Sequence, residues 1–530
     1  MPETDPGAAM SHVATPAPGR VFQKLTGRVA TLSLILFLLT GCVLTATKQA
    51  GYVFQATDVS YGDSYVFYDV LHYQRTGELY RDLSRPPYLP VVYSPLVYMA
   101  YSVPGRLVSF ANPFVGPRLL SLVVFLLCVA VTIWIARSLI PGANVWWWAL
   151  LLACSIEVMR DWVLQMRGDF FGVLFSLLAI RLLFVQTRWA VIAAGLSAGF
   201  ATQFKFTFVA AMAAGVLWLL VRREWRRLAR FGAAALLSSV GLYVLFWSRE
   251  PRMLAQITAL SPIFADVGGD LKLIYHVVSE PAVLLAALAV PPLAWNLRSR
   301  WALFACYGCI SFCVAALTDL QAGGNLNYYY ECLFAIIPAA VLGARRLTHW
   351  ARQRMGAGLF VTALFAFFFL PPLVRDLDAS IHWAVGAGGV EARNQEFEKF
   401  QRVLQGRHIF SSIQRVALLD PRPVLLDPFL LNYLQRTGRF DPKPVFDRIR
   451  NAEFDVVVTA SGHRSYRGLP HVGPAMHNAI VASYQAYCTY SEYLVHLRRN
   501  QPDNNALAQE LTQIGCQPVV CGAPENCPSW

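Results

Sequence analysis

The chain has 530 residues, 56% of them hydrophobic and only 15% charged, with a mean hydropathy of +0.43. That is more apolar surface than a soluble core of this length can bury, so composition excludes an ordinary soluble domain and predicts a polytopic membrane protein. The formal charge of +13 would point to nucleic acid in a soluble chain. Here the Arg residues cluster in short connections between apolar runs, which is the signature of membrane topology, and no nucleic-acid partner is expected.

Residues 1–27 form a cytoplasmic N-terminal segment, disordered from Met1 to Gly19 by its Pro, Ala, Gly and Thr content. A membrane-spanning helix needs about 20 apolar residues, and about 17 at the short end. Runs of that kind extend over Val29–Thr47, Leu119–Ala136, Val145–Val163, Phe170–Val185, Trp189–Phe204, Phe206–Val221, Phe231–Phe246, Pro281–Leu297, Trp301–Leu317, Tyr329–Gly343 and Gly358–Leu373, giving about eleven spans. Leu39-Thr40-Gly41-Cys42 resembles a lipoprotein cleavage box behind Lys24 and Arg28. Apolar sequence continues past it, so the run reads as an uncleaved first helix.

Arg222, Arg223, Arg226, Arg227 and Arg230, then Arg298 and Arg300, then Arg345, Arg346, Arg352 and Arg354 mark cytoplasmic connections. Alternation puts Lys48–Arg118, Gln165–Asp169, Ser248–Glu280, Thr318–Tyr328 and everything after Arg375 on the outer face. An odd number of spans satisfies every assignment. Within the first outer loop, Tyr88–Phe110 is broken by Pro90, Pro95, Pro104 and Gly105 and reads as a helix lying on the membrane surface; Ile257–Ser279 reads similarly.

Residues 376–530 lack any span and predict a small α/β domain, with Glu391–Leu404 and Leu430–Arg436 as helices and Pro423–Leu426 and Asp455–Thr459 as buried strands. Of the eleven Cys, Cys42, Cys128, Cys154, Cys306, Cys309, Cys313 and Cys332 lie in or beside apolar runs and read as small hydrophobes. Cys488, Cys516, Cys521 and Cys527 are able to form disulfides in an oxidising compartment, with connectivity open.

Ionisable groups gather in the outer connections: Asp63, Asp69, His72, Glu78 and Asp82; Arg167 and Asp169; Lys205; Asp266 and Asp270; Asp319 and Glu331. Charge at membrane depth is costly and, when it faces a bundle interior, usually functional. Wet loop residues are the plainer reading for any one of them. Their order carries more: Gly62-Asp63-Ser64-Tyr65, Tyr68, Gly77-Glu78-Leu79-Tyr80-Arg81-Asp82, Tyr93-Ser94-Pro95-Leu96-Val97-Tyr98 and Arg118-Leu119-Leu120-Ser121, followed by Arg167-Gly168-Asp169, Phe204-Lys205-Phe206-Thr207 and Gly324-Asn325-Leu326-Asn327-Tyr328-Tyr329. From about Arg28 to Arg346 this resembles the GT-C glycosyltransferases, polytopic enzymes that use polyprenyl-phosphate-linked sugars. The resemblance is to the bacterial branch of lipopolysaccharide-modifying and protein O-mannosyl or aminoarabinose transferase-like enzymes, in which a C-terminal domain sits on the outer face.

The resemblance implies an all-α membrane bundle over residues 28–375, with outer loop 48–118, and a periplasmic domain over 376–530, in a bacterial cytoplasmic membrane. It implies an inverting transfer to a hydroxyl on a glycan, lipid or protein, with Asp63 as general base and Asp69, six positions on and on another helix face, as its competitor. Lys205 and Arg167 would meet the leaving phosphate, Asp169 would serve as ion-pair partner of Arg167, second acid or metal ligand, and Asn327 and Tyr328 would contact substrate. A divalent cation is compatible with the family, although no His or carboxylate cluster has ligand spacing. Ser64 departs from the family, where a second acid commonly follows the aspartate. Asp427-Pro428-Phe429, His463, His471 and His477 read as folding or acceptor-positioning residues. The competing classes are a transporter or flippase, whose paired halves are not evident, and a non-catalytic assembly subunit.

Overall fold

The computed structural model describes residues 18–59, 62–84, 86, 88–108, 110, 112–160, 162–258, 267–289, 297–320, 325–364, 374, 377–378, 380–381, 389–420, 435, 438, 441–460, 465–466, 469–470, 472–499, 501 and 504–519. Hydrocarbon offers backbone N–H and C=O groups no partner outside the chain, so apolar runs fold as helices. Among the described residues five helices are long and apolar enough to cross a membrane: Leu25–Phe54, Val115–Leu139, Trp225–Arg249, Arg300–Asp319 and Leu326–Gln353. The most apolar window of the last is 72% buried, against 28–50% for the other four, so it runs through the middle of the bundle.

In chain order the first half contains α1 (Pro18–Phe54), α2 (Asp63–Thr76), α3 (Pro95–Leu107), α4 (Val115–Leu139), α5 (Val145–Ser155), α6 (Glu157–Arg160), α7 (Asp169–Leu183), α8 (Arg188–Phe204) and α9 (Ala210–Val221). α1 starts at Pro18, ten positions ahead of the expected boundary, and runs unbroken through Cys42. The other six expected runs carry shorter helices among the described residues. The clearest departure is Val145–Val163, where the helix ends at Ser155 and Ile156 turns out of helical geometry, just before the polar Glu157 and Arg160 of α6. Trp225–Arg249 contains a π-helical turn at Leu237–Gly241. There Ser238 and Ser239 bond back to the Ala234 and Ala235 carbonyls, and Gln203 Nε2 takes the Ser239 carbonyl, which is how such a bulge stays satisfied in an apolar setting.

The Arg-rich connections meet at one end of the bundle. Arg222 donates to the Arg298 carbonyl, Arg227 to Gln186 and the Leu183 and Val185 carbonyls, Arg345 to Pro141 and Arg346 to Leu288. Of the acidic connections, that at Asp169 lies at the opposite end of α7 from the Leu183 carbonyl that takes Arg227. In the first acidic connection, the surface helix expected from Tyr88 begins only at Pro95, after an extended stretch. It buries Val97, Tyr98 and Tyr101 and leaves Met99, Val103 and Leu107 exposed. In Ile257–Ser279 the described helix is Val267–Val278.

After residue 389 the chain forms a five-stranded sheet in the order β1-β2-β6-β5-β7. β1 (Ile409–Ser411) is parallel to β2 (Val456–Ala460); β6 (Tyr493–Arg498) is antiparallel to β2 and to β5 (Tyr484–Tyr490), and β7 (Gln517–Pro518) closes the edge. A small two-stranded sheet pairs β3 (Ser465–Tyr466) with β4 (Leu469–Pro470). A disulfide joins Cys488 to Cys516. The expected helix at Glu391–Leu404 and strand at Asp455–Thr459 are present as Val390–Leu404 and β2. Pro423–Leu426 lies outside the described residues, as do all of Leu430–Arg436 except Gln435, and Cys521 and Cys527.

Candidate active site

α1 ends at Phe54 with carbonyls that no further helical turn satisfies, and side chains from three directions take them over. Arg118, fully buried on α4, donates to the Tyr52 carbonyl at 2.9 Å, to the Gln55 carbonyl, and to the Thr57 carbonyl at 2.7 Å. Asn112 donates to Phe54 and Gln55. Asn394 donates to Phe54 and accepts from the Ala56 N–H at 2.7 Å. The result is a fixed strap over residues 54–59 that leads into the site.

Gly62 then takes φ +101°, a left-handed conformation in which a side chain would be strained, and Asp63 opens α2. A carboxylate in the first helical turn is favoured by the helix dipole. Asp63 is 1% exposed. One oxygen accepts the Met166 N–H at 3.3 Å and the other the Val59 N–H at 3.2 Å. Burial raises its pKa, against the opposing charges of Arg118 and Arg167 and the two backbone donors. The carboxyl is therefore both positioned and basic.

Where a second acid was expected at Ser64, the chain supplies Asp58 instead, accepting the Ser64 hydroxyl. Burial, and then the neighbouring Asp63 charge, push Asp58 up to about 7, with Ser64, Arg415 and Arg118 opposing. Asp58 was missed from sequence because it precedes Asp63 by five positions across a turn. Two acids flanking Tyr61-Gly62 was the signal available.

The second half of the site is built where α7 starts and α8 ends. A Cβ on Gly168 would lie 2.5 Å from the Phe204 carbonyl oxygen and 3.0 Å from a Val97 methyl, so only glycine lets these ends close. That contact delivers Asp169 to Lys205: Nζ donates to Asp169 Oδ1 at 3.0 Å and lies 3.5 Å from the centre of the Tyr328 ring. Asn327 donates its amide to both Asp169 oxygens at 3.0 Å, and its own buried Oδ1 has no hydrogen-bond partner among the described residues. Asp169, Lys205, Asn327 and Tyr328, widely spaced in sequence, thus form one cluster. The ion-pair partner of Asp169 is Lys205. Arg167, half-buried over the Trp162 ring, carries electrostatic interactions with both Asp63 and Asp169 and so links the two halves. Tyr101 holds it by the backbone, accepting the Arg167 N–H at 3.0 Å and donating to its carbonyl at 2.9 Å.

Asp69 turns away into a buried ion pair with Arg81, whose guanidinium lies over Tyr68; burial raises its pKa to about 7 against that charge. Asp82 makes a long exposed pair with Arg252, and Glu78 is exposed. Asp319 meets the Tyr329 hydroxyl at 3.4 Å, and Glu331 is buried in the bundle. Asp266, the Asp270 side chain, Asp427 to Phe429, His463 and His471 lie outside the described residues. Among the described residues no group of three or more His, Cys, Asp and Glu is disposed to hold a metal ion.

No family model and no curated protein matches the sequence. Solved structures do match. ArnT from Cupriavidus metallidurans in its apo state superposes with a TM-score of 0.56 at 15% identity, over 87% of this chain and 97% of that one. The same protein bound to undecaprenyl phosphate gives a TM-score of 0.52 over the same shares at 15% identity. The match takes in most of both chains, and the chain therefore shares the overall helical fold of ArnT from Cupriavidus metallidurans.

Proposed function

We propose that the chain is an inverting glycosyltransferase that moves a sugar from a polyprenyl-phosphate-linked donor to a hydroxyl acceptor at the outer face of a bacterial cytoplasmic membrane. In this reading residues 1–27 are cytoplasmic, 28–375 form the catalytic module and 376–530 a periplasmic domain. The separation of the Asp169 connection from the Arg227 contact by the length of α7 supports that orientation. ArnT, which shares the fold, has been solved with undecaprenyl phosphate, which supports a lipid-phosphate leaving group.

The observation that carries the reading is Asp63: a buried, proton-attracting carboxylate fixed by two backbone donors at the mouth of the bundle. It takes the proton of the acceptor hydroxyl, the oxygen forms a bond to the anomeric carbon, and the bond from that carbon to the phosphate oxygen breaks with its electron pair leaving on the phosphate. The site also has the charge for this. Asp58, Asp63 and Asp169 are set against Arg118, Arg167, Lys205 and Arg415, a surplus of one positive charge when all are ionised, which suits a phosphodiester. Arg167 offers a fork for phosphate oxygens; Lys205, oriented by Asp169, offers a second positive charge. Asn327 and Tyr328 complete the wall.

The test is release of polyprenyl phosphate from a panel of polyprenyl-phosphate sugars by the purified protein. Asp63→Asn keeps the shape and removes the base, and turnover should fall on the order of 10²-fold to 10⁴-fold. No turnover of any donor by the wild-type protein refutes the transferase reading and favours a transporter or an assembly subunit. Full activity in Asp63→Asn refutes the base.

A further inference from the structure

The C-terminal sheet unit does more than stand beside the membrane bundle. Its short helical turn Gln414–Ala417 places Arg415 between the Phe114 ring, 5.0 Å away at the start of α4, and the Phe397 ring at 5.3 Å. From there Nε donates to the Ala56 carbonyl at 3.0 Å, in the middle of the strap. Its charge acts on Asp58, whose other neighbours are Asp63 and Ser64 from α2 and Arg118 from α4. Two further contacts tie the same surfaces together: Asn394 brackets Ala56 and Phe54, and Ala417 packs with Tyr65 of α2 and with Leu89. Arg118 reaches the strap from the membrane side, so the strap is gripped from both faces.

We propose that Arg415 is a positioning residue of the transferase site: through the Ala56 carbonyl and Asp58 it holds the strap whose Val59 N–H orients Asp63, making the C-terminal unit part of the catalytic geometry. The inference rests on the function proposed above. Its consequence is that acceptor or donor contacts felt by the C-terminal unit reach the base through the strap that Arg415 and Asn394 hold. Arg415 has two actions, a hydrogen bond that holds the strap and a positive charge that favours ionised Asp58.

The test uses the full chain purified in detergent, in Arg415→Gln and Arg415→Lys variants, with two readouts. Amide hydrogen exchange over residues 55–59 reads the strap without any need for turnover. Polyprenyl phosphate release as a function of pH reads the base. In Arg415→Gln the strap should exchange about fivefold to tenfold faster, the loss of a hydrogen bond to a charged donor. The acidic limb of kcat should move to higher pH, because the Val59 N–H that favours ionised Asp63 is held less firmly. Arg415→Lys, which keeps the charge but removes the Nε donor to Ala56, should show the same loosening and the same direction of limb shift to a smaller degree. Unchanged protection of β1 and β2 in each variant shows that the sheet unit is folded; if Arg415→Gln fails that check, Arg415→Lys carries the exchange comparison. Wild-type exchange across 55–59 overturns the proposal whatever the activity. A loosened strap with an unmoved limb in Arg415→Gln overturns the link to Asp63. Failure of the transferase reading shows separately, as absence of turnover in the wild-type protein.

Discussion

Gly168→Ala tests whether the cluster around Asp169 depends on the close approach of α7 and α8. The new Cβ would start 2.5 Å from the Phe204 carbonyl oxygen and 3.0 Å from the Val97 methyl. An ordinary carbon–oxygen contact of about 3.3 Å needs the two helix ends to part by roughly 0.8 Å, and backbone on both sides leaves no flexible group to yield. Overpacking of this kind costs about 1–3 kcal/mol. The same displacement stretches the Lys205 to Asp169 bond from 3.0 Å to about 3.8 Å, beyond hydrogen-bonding distance, and misplacement by about 1 Å at a reacting centre costs on the order of 10²-fold. Gly232→Ala is the control, since nothing lies within 4 Å of a Cβ there and alanine favours a helix by about 1 kcal/mol. Thermal unfolding in detergent should drop for Gly168→Ala and hold or rise for Gly232→Ala. Donor turnover should fall about 100-fold in the first alone. Turnover within twofold of wild type in Gly168→Ala would show that the helix-end contact does not set the site.

Asn327→Asp places a like charge against Asp169 and should cost at least about tenfold in turnover, whereas Asn327→Gln, with a longer amide, should be milder; equal effects would remove the amide from the Asp169 contact. Asp58 has a folded-state pKa raised to about 7, above the ordinary carboxylate value near about 4. Its contribution to stability is thus full below about pH 4 and lost as pH rises through about 7. Asp58→Asn, which cannot ionise, should therefore gain melting temperature relative to wild type between pH 5 and pH 8, and a pH-independent difference would refute the burial of that charge. Reduction of the Cys488–Cys516 disulfide, with a sequence separation of 28, should cost the sheet unit about 3–4 kcal/mol, read as earlier exchange of β5 and β6; unaltered exchange would mean the bridge does not bear on the unit's stability.

The sequence alone determined the membrane class, the helical bundle and the gathering of acids into a few connections, because apolar run length and the exclusion of charge from it follow directly from what hydrocarbon permits. It also picked out Asp63, Arg167, Asp169, Lys205, Asn327 and Tyr328, since order and spacing of motifs survive in the chain. Short interior helices were legible only as apolar runs: a period does not say where Ile156 breaks the helix. The strands of the sheet unit fared likewise, Tyr493–Arg498 being nearly continuous in its burial and so lacking the alternation that marks a half-exposed strand.

Only the tertiary structure decided pairing. Arg167, two residues away, acts on Asp169 electrostatically, and the helix-end contact at Gly168 brings Lys205 to it as the hydrogen-bonded cation. Asp69, the competitor of Asp63 by sequence, is buried in an ion pair with Arg81. The second carboxylate came from Asp58, upstream of the turn rather than beside Asp63, and a guanidinium about 350 residues on, Arg415, reached the same strap. Pairings of this kind depend on distances across the fold, which local pattern does not encode; apolar patterning, by contrast, acts residue by residue along the chain and can be read from it.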